Sequence, residues 1–158
     1  MKFDLDKLNT YKNLIQTTNL QEGYQEFIKL FRYLRVELEK ELSEFNFSSS
    51  IVENRMDFSY FHLTSKELKD NGLKVQVVFV HKDHDFEVWI SGYNRKVQCE
   101  YNDKLNNREM DYILNQKPKE DDYILKTKIV KEVDISDGDA LIAELKNEIY
   151  KIIEFVLT

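Results

Sequence analysis

The chain has 158 residues and a net charge of −6, with 42% apolar and 33% charged residues, a length that fits one domain whose core needs no metal or disulfide staple. Ten Phe and nine Tyr against four Gly and one Pro exclude a disordered, collagen-like or low-complexity chain. The acidic balance, concentrated in residues 109–158, speaks against binding along a nucleic-acid backbone, which asks for a basic domain or stripe.

Residues 4–16 read as a short helix with Leu5, Leu8, Tyr11 and Ile15 on one stripe and Asp4 as its cap. Residues 19–43 give the clearest helical signal: Leu20, Tyr24, Phe27, Ile28, Phe31, Leu34, Leu38 and Leu42 recur at helical spacing, and Asn19 with Glu22 has the pattern of a capping box. The serine-rich run at 45–50 breaks that period and predicts a loop. Residues 56–63, rich in aromatics, predict a strand, and Ser65 opens a helical turn over 65–70.

Residues 73–81 and 85–91 predict a hairpin turning through Lys82, Asp83 and His84. The period of two places Val75, Val77, Phe79, Phe86, Val88 and Ile90 on its core face, leaving Gln76, Val78, Val80, Asp85, Glu87, Trp89 and Ser91 on the other. A helix over 94–106 follows, capped by Asn94 and carrying Val97, Tyr101 and Leu105 at helical spacing. Residues 107–122 read as irregular; the tetrapeptide DYIL at 111–114 recurs at 122–125, an echo too short for a repeat architecture. Residues 123–133 predict a last strand, placed at a sheet edge by its four charges. The C-terminal helix shows Leu141, Ile142, Leu145, Ile149, Ile152, Ile153 and Val156 on one face behind a Ser136 to Asp139 capping pattern.

Cys99 is the single cysteine, and the N-terminus mixes acids and bases where a secretion signal would show an apolar run, so a reducing cytoplasmic location is expected. No window approaches 18 consecutive apolar residues, and no membrane span is expected. No motif specifies a reaction, and no cofactor is implied.

Four groups of residues are candidates for chemistry. In WISGYNRK, Arg95 and Lys96 fall in the first turn of the 94–106 helix, where free N–H groups already favour an anion; Trp89 would wall such a pocket, Gly92 would admit close backbone approach and Tyr60 would line the far side. The bland alternative is two surface charges and a packed indole. His81, Asp83, His84, Asp85 and Glu87 crowd the hairpin with metal-ligand types, although alternation along a strand sends neighbours to opposite faces. Cys99 lacks a CxxC partner or a fixed histidine and reads as a small buried apolar group rather than a nucleophile. The order helix, three strands, helix, strand also matches the core of PD-(D/E)xK nucleases. Asp57, Asp85 and Glu87 are its acids on strands, but the required acid-x-Lys pair is absent, since Trp89 follows Glu87.

The stretch 56–101, with MDFSYF, FEVWI and GYNRKVQ as its most distinctive pieces, resembles a family of small bacterial proteins that form a domain of unknown function. The resemblance implies a bacterial cytoplasmic domain and carries no catalytic residue. The fold expected is α+β, one domain, with an antiparallel sheet of about four strands packed by the 19–43 helix and the C-terminal helix. The function expected is a binding or interaction module without catalysis, taking a protein partner or a small anion near Trp89, Arg95, Lys96 and Tyr60. A metal-dependent hydrolase or degraded nuclease using Asp57, Asp85 and Glu87 is the alternative.

Overall fold

A computed structural model of the protein describes residues 1–129 and 132–158. Helix α1 (Leu5–Thr17) starts where the Asp4 carboxylate accepts the Lys7 N–H at 3.1 Å, satisfying one of the donors that a helix start leaves unpaired. It buries none of its residues: Leu5, Leu8, Tyr11 and Leu14 are all exposed. Helix α2 (Leu20–Glu41) follows after two residues, and the expected Asn19 capping box is absent. Asn19 sits at φ −84° and ψ 27°, close to helical, so its side chain does not turn back onto the helix from the extended backbone that a cap requires. Thr18 Oγ instead accepts the Leu20 N–H at 3.3 Å.

Among the described residues the sheet is antiparallel throughout and holds seven strands, not about four. They are β1 (Asn46–Phe47), β2 (Val52–Asn54), β3 (Phe58–Thr64), β4 (Leu73–Val80), β5 (Asp85–Gly92), β6 (Ile113–Leu114) and β7 (Leu125–Lys128). The order is β1-β3-β4-β5-β7-β6, with β2 also paired to β3. The extra strands are two or three residues long, too short to show a period of two, and exist because a neighbouring ladder offers them partners. The β4–β5 hairpin has the expected register, with Val75 opposite Ile90, Val77 opposite Val88 and Phe79 opposite Phe86.

Two expectations about the second half change. Strand β7 is not an edge: it lies between β5 and β6, and Lys126 and Lys128 neutralise acids of β5 rather than protect an edge. The predicted strand at 123–133 shortens to four residues, and its positions 130–131 lie outside the described residues. Both copies of DYIL end in strand residues, and Leu114 faces Leu125 across the β6–β7 ladder.

One hydrophobic core forms where α2 and α5 (Gly138–Leu157) lie on the face of the sheet that carries Phe61, Leu63, Val75, Val77, Val88 and Ile90. Phe31, Leu34 and Leu38 of α2 and Leu145, Ile149 and Ile152 of α5 are fully buried there, each such side chain worth roughly 1.5–3 kcal/mol of transfer free energy. The cap of α5 is Asp137, which accepts the Ala140 N–H at 3.1 Å, whereas Ser136 is held by Asp134. Helix α3 (Lys66–Asp70) and helix α4 (Arg95–Leu105) begin at Ser65 and Asn94, each accepting an N–H three residues on. Among the described residues no helix is long and apolar enough to cross a membrane.

Candidate functional site: a cleft on the helix-free face of the sheet

Antiparallel sheets usually bury one face and give the other to water, with polar side chains on the wet side. The second face of this sheet departs from that pattern. Val78 is 1% exposed, Glu87 2%, Ser91 1%, and Gln76 and Trp89 8% each. These side chains line a cleft of about 890 Å³, to which helices contribute only Arg95 and Gln98 of α4.

Strand register arranges the lining in rows. One row runs His62, Gln76, Trp89, Lys126 across β3, β4, β5 and β7; the next runs Tyr60, Val78, Glu87, Lys128. Lys74 lies beyond Gln76, opposite Ser91. At the far end Phe58 meets Trp89 edge to face, with ring centroids 5.6 Å apart.

The centre of the cleft is electrostatically closed. The Lys126 ammonium lies 3.2 Å from Glu87 Oε1, and the same oxygen accepts the Trp89 indole N–H at 3.2 Å. Lys126 also stands over the rings of Tyr123 and Trp89, at 4.9 and 5.5 Å from their centroids. Burial pushes the Tyr123 phenol up, with Asp121 and Glu87 adding to it. Asp85 pairs with Lys128 at 3.7 Å.

One wall is the loop at 117–122, and Arg95 holds it. The guanidinium donates to the carbonyls of Pro118, Glu120 and Asp121 and pairs with the Asp122 carboxylate. Gln98 donates to two of the same carbonyls, and Ser91 Oγ donates to Asp122 O. Gly92 admits close backbone approach, but the space over it belongs to α4: a Cβ there would stand 2.7 Å from the Gln98 nitrogen.

Of the residues singled out in the sequence, Trp89, Arg95 and Tyr60 line the cleft together, and Lys96 does not. Lys96 is largely exposed, 4.0 Å from Glu100 on its own helix. The hairpin acids and histidines diverge. His81 bonds Ser59 Oγ at 2.8 Å and packs against Phe27 and Phe79, and His84 packs against Phe79, whereas Asp85 and Glu87 are each ion-paired to lysines of β7. Among the described residues no group of three or more His, Cys, Asp or Glu side chains converges on a metal position, and this includes Asp57, Asp85 and Glu87. Cys99 is a half-buried free thiol.

Sequence reasoning missed His62, Lys74, Gln76, Tyr123 and Lys126. A signal was present for Gln76: the side of the hairpin opposite the core mixes Gln76, Val78, Val80 and Trp89, too apolar for a solvated face.

Residues 5–158 match the family described as Domain of unknown function (DUF7000), and the chain belongs to that family. No curated protein and no solved structure matches it.

Proposed function

We propose that this protein is a ligand-binding domain without catalysis, and that its ligand is a small organic molecule held in the cleft on the helix-free face of the sheet. One observation carries the reading. The face of the sheet turned away from α2 and α5 bounds a cavity of about 890 Å³, within the size range of small-molecule sites. The half-buried rings of Phe58, Tyr60 and Tyr123 that line it favour an occupant with apolar surface of its own. Catalysis asks for a nucleophile, base and acid that converge, and Glu87, the most buried acid of the cleft, is already matched by Lys126 and the Trp89 N–H. A bacterial origin belongs to this reading through the resemblance, and a reducing cytoplasmic compartment through the free Cys99 thiol.

Trp89 is the only tryptophan, so its fluorescence reports on the cleft alone. A metabolite library screened by Trp89 emission and thermal shift should yield compounds that change both. Val78→Phe, which puts a ring into the middle of the cavity, should abolish the response while the protein stays folded. A library that moves neither signal, or hits that bind Val78→Phe as tightly as the native chain, would remove the reading.

The apolar stripe of α1 favours a second reading, a protein partner. Leu5, Leu8 and Tyr11 are 67%, 55% and 61% exposed on an otherwise regular helix, a contiguous patch of the kind that marks interaction surfaces. A second copy of the chain is the first partner to test. Light scattering should show an oligomer that Leu8→Glu dissociates, and a monomer at every concentration would count against self-association.

A further inference from the structure

We propose that the end of the cleft formed by His62, Lys74 and Gln76 holds the carboxylate of a small organic acid whose apolar body lies along Tyr60 and Tyr123. The inference rests on the binding reading above and names the ligand class for it.

Most of the cations in the cleft are neutralised within the protein. Four lysines and arginines line the cleft: Lys74, Arg95, Lys126 and Lys128. Three are matched: Arg95 by Asp122, Lys126 by Glu87 and Lys128 by Asp85. Lys74 is the one without a carboxylate partner among the described residues, and it is half-buried on the floor of the sheet rather than free in water. A half-buried ammonium gains from an anion more than an exposed one does, because less water screens the pair.

Gln76 supplies an independent observation. It is 8% exposed, lines the cleft, and its side-chain amide makes no hydrogen bond to the protein among the described residues. Every buried side-chain nitrogen and oxygen among the described residues has a partner, so the unbonded amide of Gln76 is the part of that residue which reaches the open cleft, with an N–H₂ and a carbonyl that the protein does not use. His62 stands directly opposite Gln76 on β3, and Lys74 is its diagonal neighbour on β4, roughly 7–8 Å away along the backbone. Burial, then the Lys74 charge, holds the His62 imidazole below its ordinary value, so at neutral pH it offers one N–H without a second positive charge.

One ammonium, one amide N–H₂ and one neutral imidazole N–H suit a group with a single negative charge and two acceptor oxygens, which is a carboxylate. A phosphate dianion is less well served, since Asp83, Glu120, Asp121 and Asp122 also line the cleft and Lys74 is its one unmatched cation among the described residues. Next to these donors, the half-buried rings of Tyr60, Phe58 and Tyr123 present the apolar surface on which the rest of the molecule lies.

The test pairs each acid with its neutral amide. A panel of aromatic and alkyl carboxylates (2-naphthoate among them), the matching carboxamides and inorganic phosphate is titrated against Trp89 fluorescence. Native protein and Lys74→Met are compared, with Lys74→Gln replacing the latter should it fail to fold. The expected result is that carboxylates bind more tightly than their amides and than phosphate, and that the Lys74 variant weakens the acids by about ten- to a hundredfold while leaving the amides unchanged. Acids and amides that bind equally well, or an acid preference that survives in the Lys74 variant, would overturn the carboxylate site and leave the cleft as a binding site. Trp89 emission that no compound of either class alters would overturn both. A preference for phosphate over every carboxylate would replace the ligand class and overturn the proposal as stated.

Discussion

Lys126→Met separates two roles that one side chain plays in the cleft. The methionine keeps the apolar stem beside Trp89 and Tyr123 and deletes only the ammonium, 3.2 Å from Glu87 Oε1. At that separation, with an effective dielectric constant of about 20, the gross attraction is about 5 kcal/mol. Most of this is offset by the cost of withdrawing both charges from water. What counts is what each deletion leaves behind. The Glu87 side chain is 2% exposed and would retain only the Trp89 N–H, whereas the Lys126 side chain is 22% exposed and can still reach solvent. Lys126→Met is therefore expected to cost about 2–3 kcal/mol and Glu87→Gln about 1 kcal/mol. The double variant should cost about 1 kcal/mol as well, because no charge is stranded, which makes the coupling about 2–3 kcal/mol. Urea unfolding of all four proteins at pH 7.5 measures the cycle. Equal costs for the two single variants that simply add in the double would refute the account of a buried acid held by a half-solvated base.

Gly92→Ala should destabilise by at least about 1–3 kcal/mol, seen in the same unfolding assay, because its Cβ would stand 2.7 Å from the Gln98 backbone nitrogen and push α4 off the sheet. Met56→Gly should stabilise by up to about 1 kcal/mol: Met56 sits at φ 62° in the β2–β3 turn, nearly half exposed, in a conformation that costs an L-residue about 1–2 kcal/mol and glycine almost nothing. Burial, then the neighbouring Lys74, depresses the His62 imidazole; burial, then His84, depresses that of His81, with Asp57 acting against it. Since both folded-state values lie below the unfolded 6.5, the unfolded chain takes up protons first as the pH falls. Stability should thus be full above pH 6.5 and decline below it, and His62→Gln with His81→Gln should flatten that decline in unfolding curves at pH 7.5, 6.5 and 5.5. Arg95→Ala should release the 117–122 loop, seen as trypsin cleavage after Lys119 that is faster by roughly tenfold while the melting temperature falls little.

The elements legible in the sequence were those long enough to show a period. Helices α2 and α5 each repeat an apolar side chain over five or six turns, and β4 and β5 alternate over eight residues, so burying one stripe left a single solution for each. The core face of the hairpin followed from the same alternation, residue by residue. Where a segment is short, local sequence stopped being sufficient: β1, β2 and β6 become strands only because β3 and β7 present open ladders beside them.

The cleft had the same limit. Trp89, Tyr60 and Arg95 attracted notice through their residue types, but the donation of Arg95 to carbonyls 23 to 26 positions further along the chain is a fact of tertiary structure, and it removes the guanidinium from the pool of free cations. Lys126 read as edge protection until β7 inserted between β5 and β6 and brought it to Glu87. Lys74 and Gln76 are unremarkable in a strand of alternating type. Their meaning comes from what lies across the ladder and from what fails to pair with them, and a chain specifies such relations only through the summed packing of all its elements.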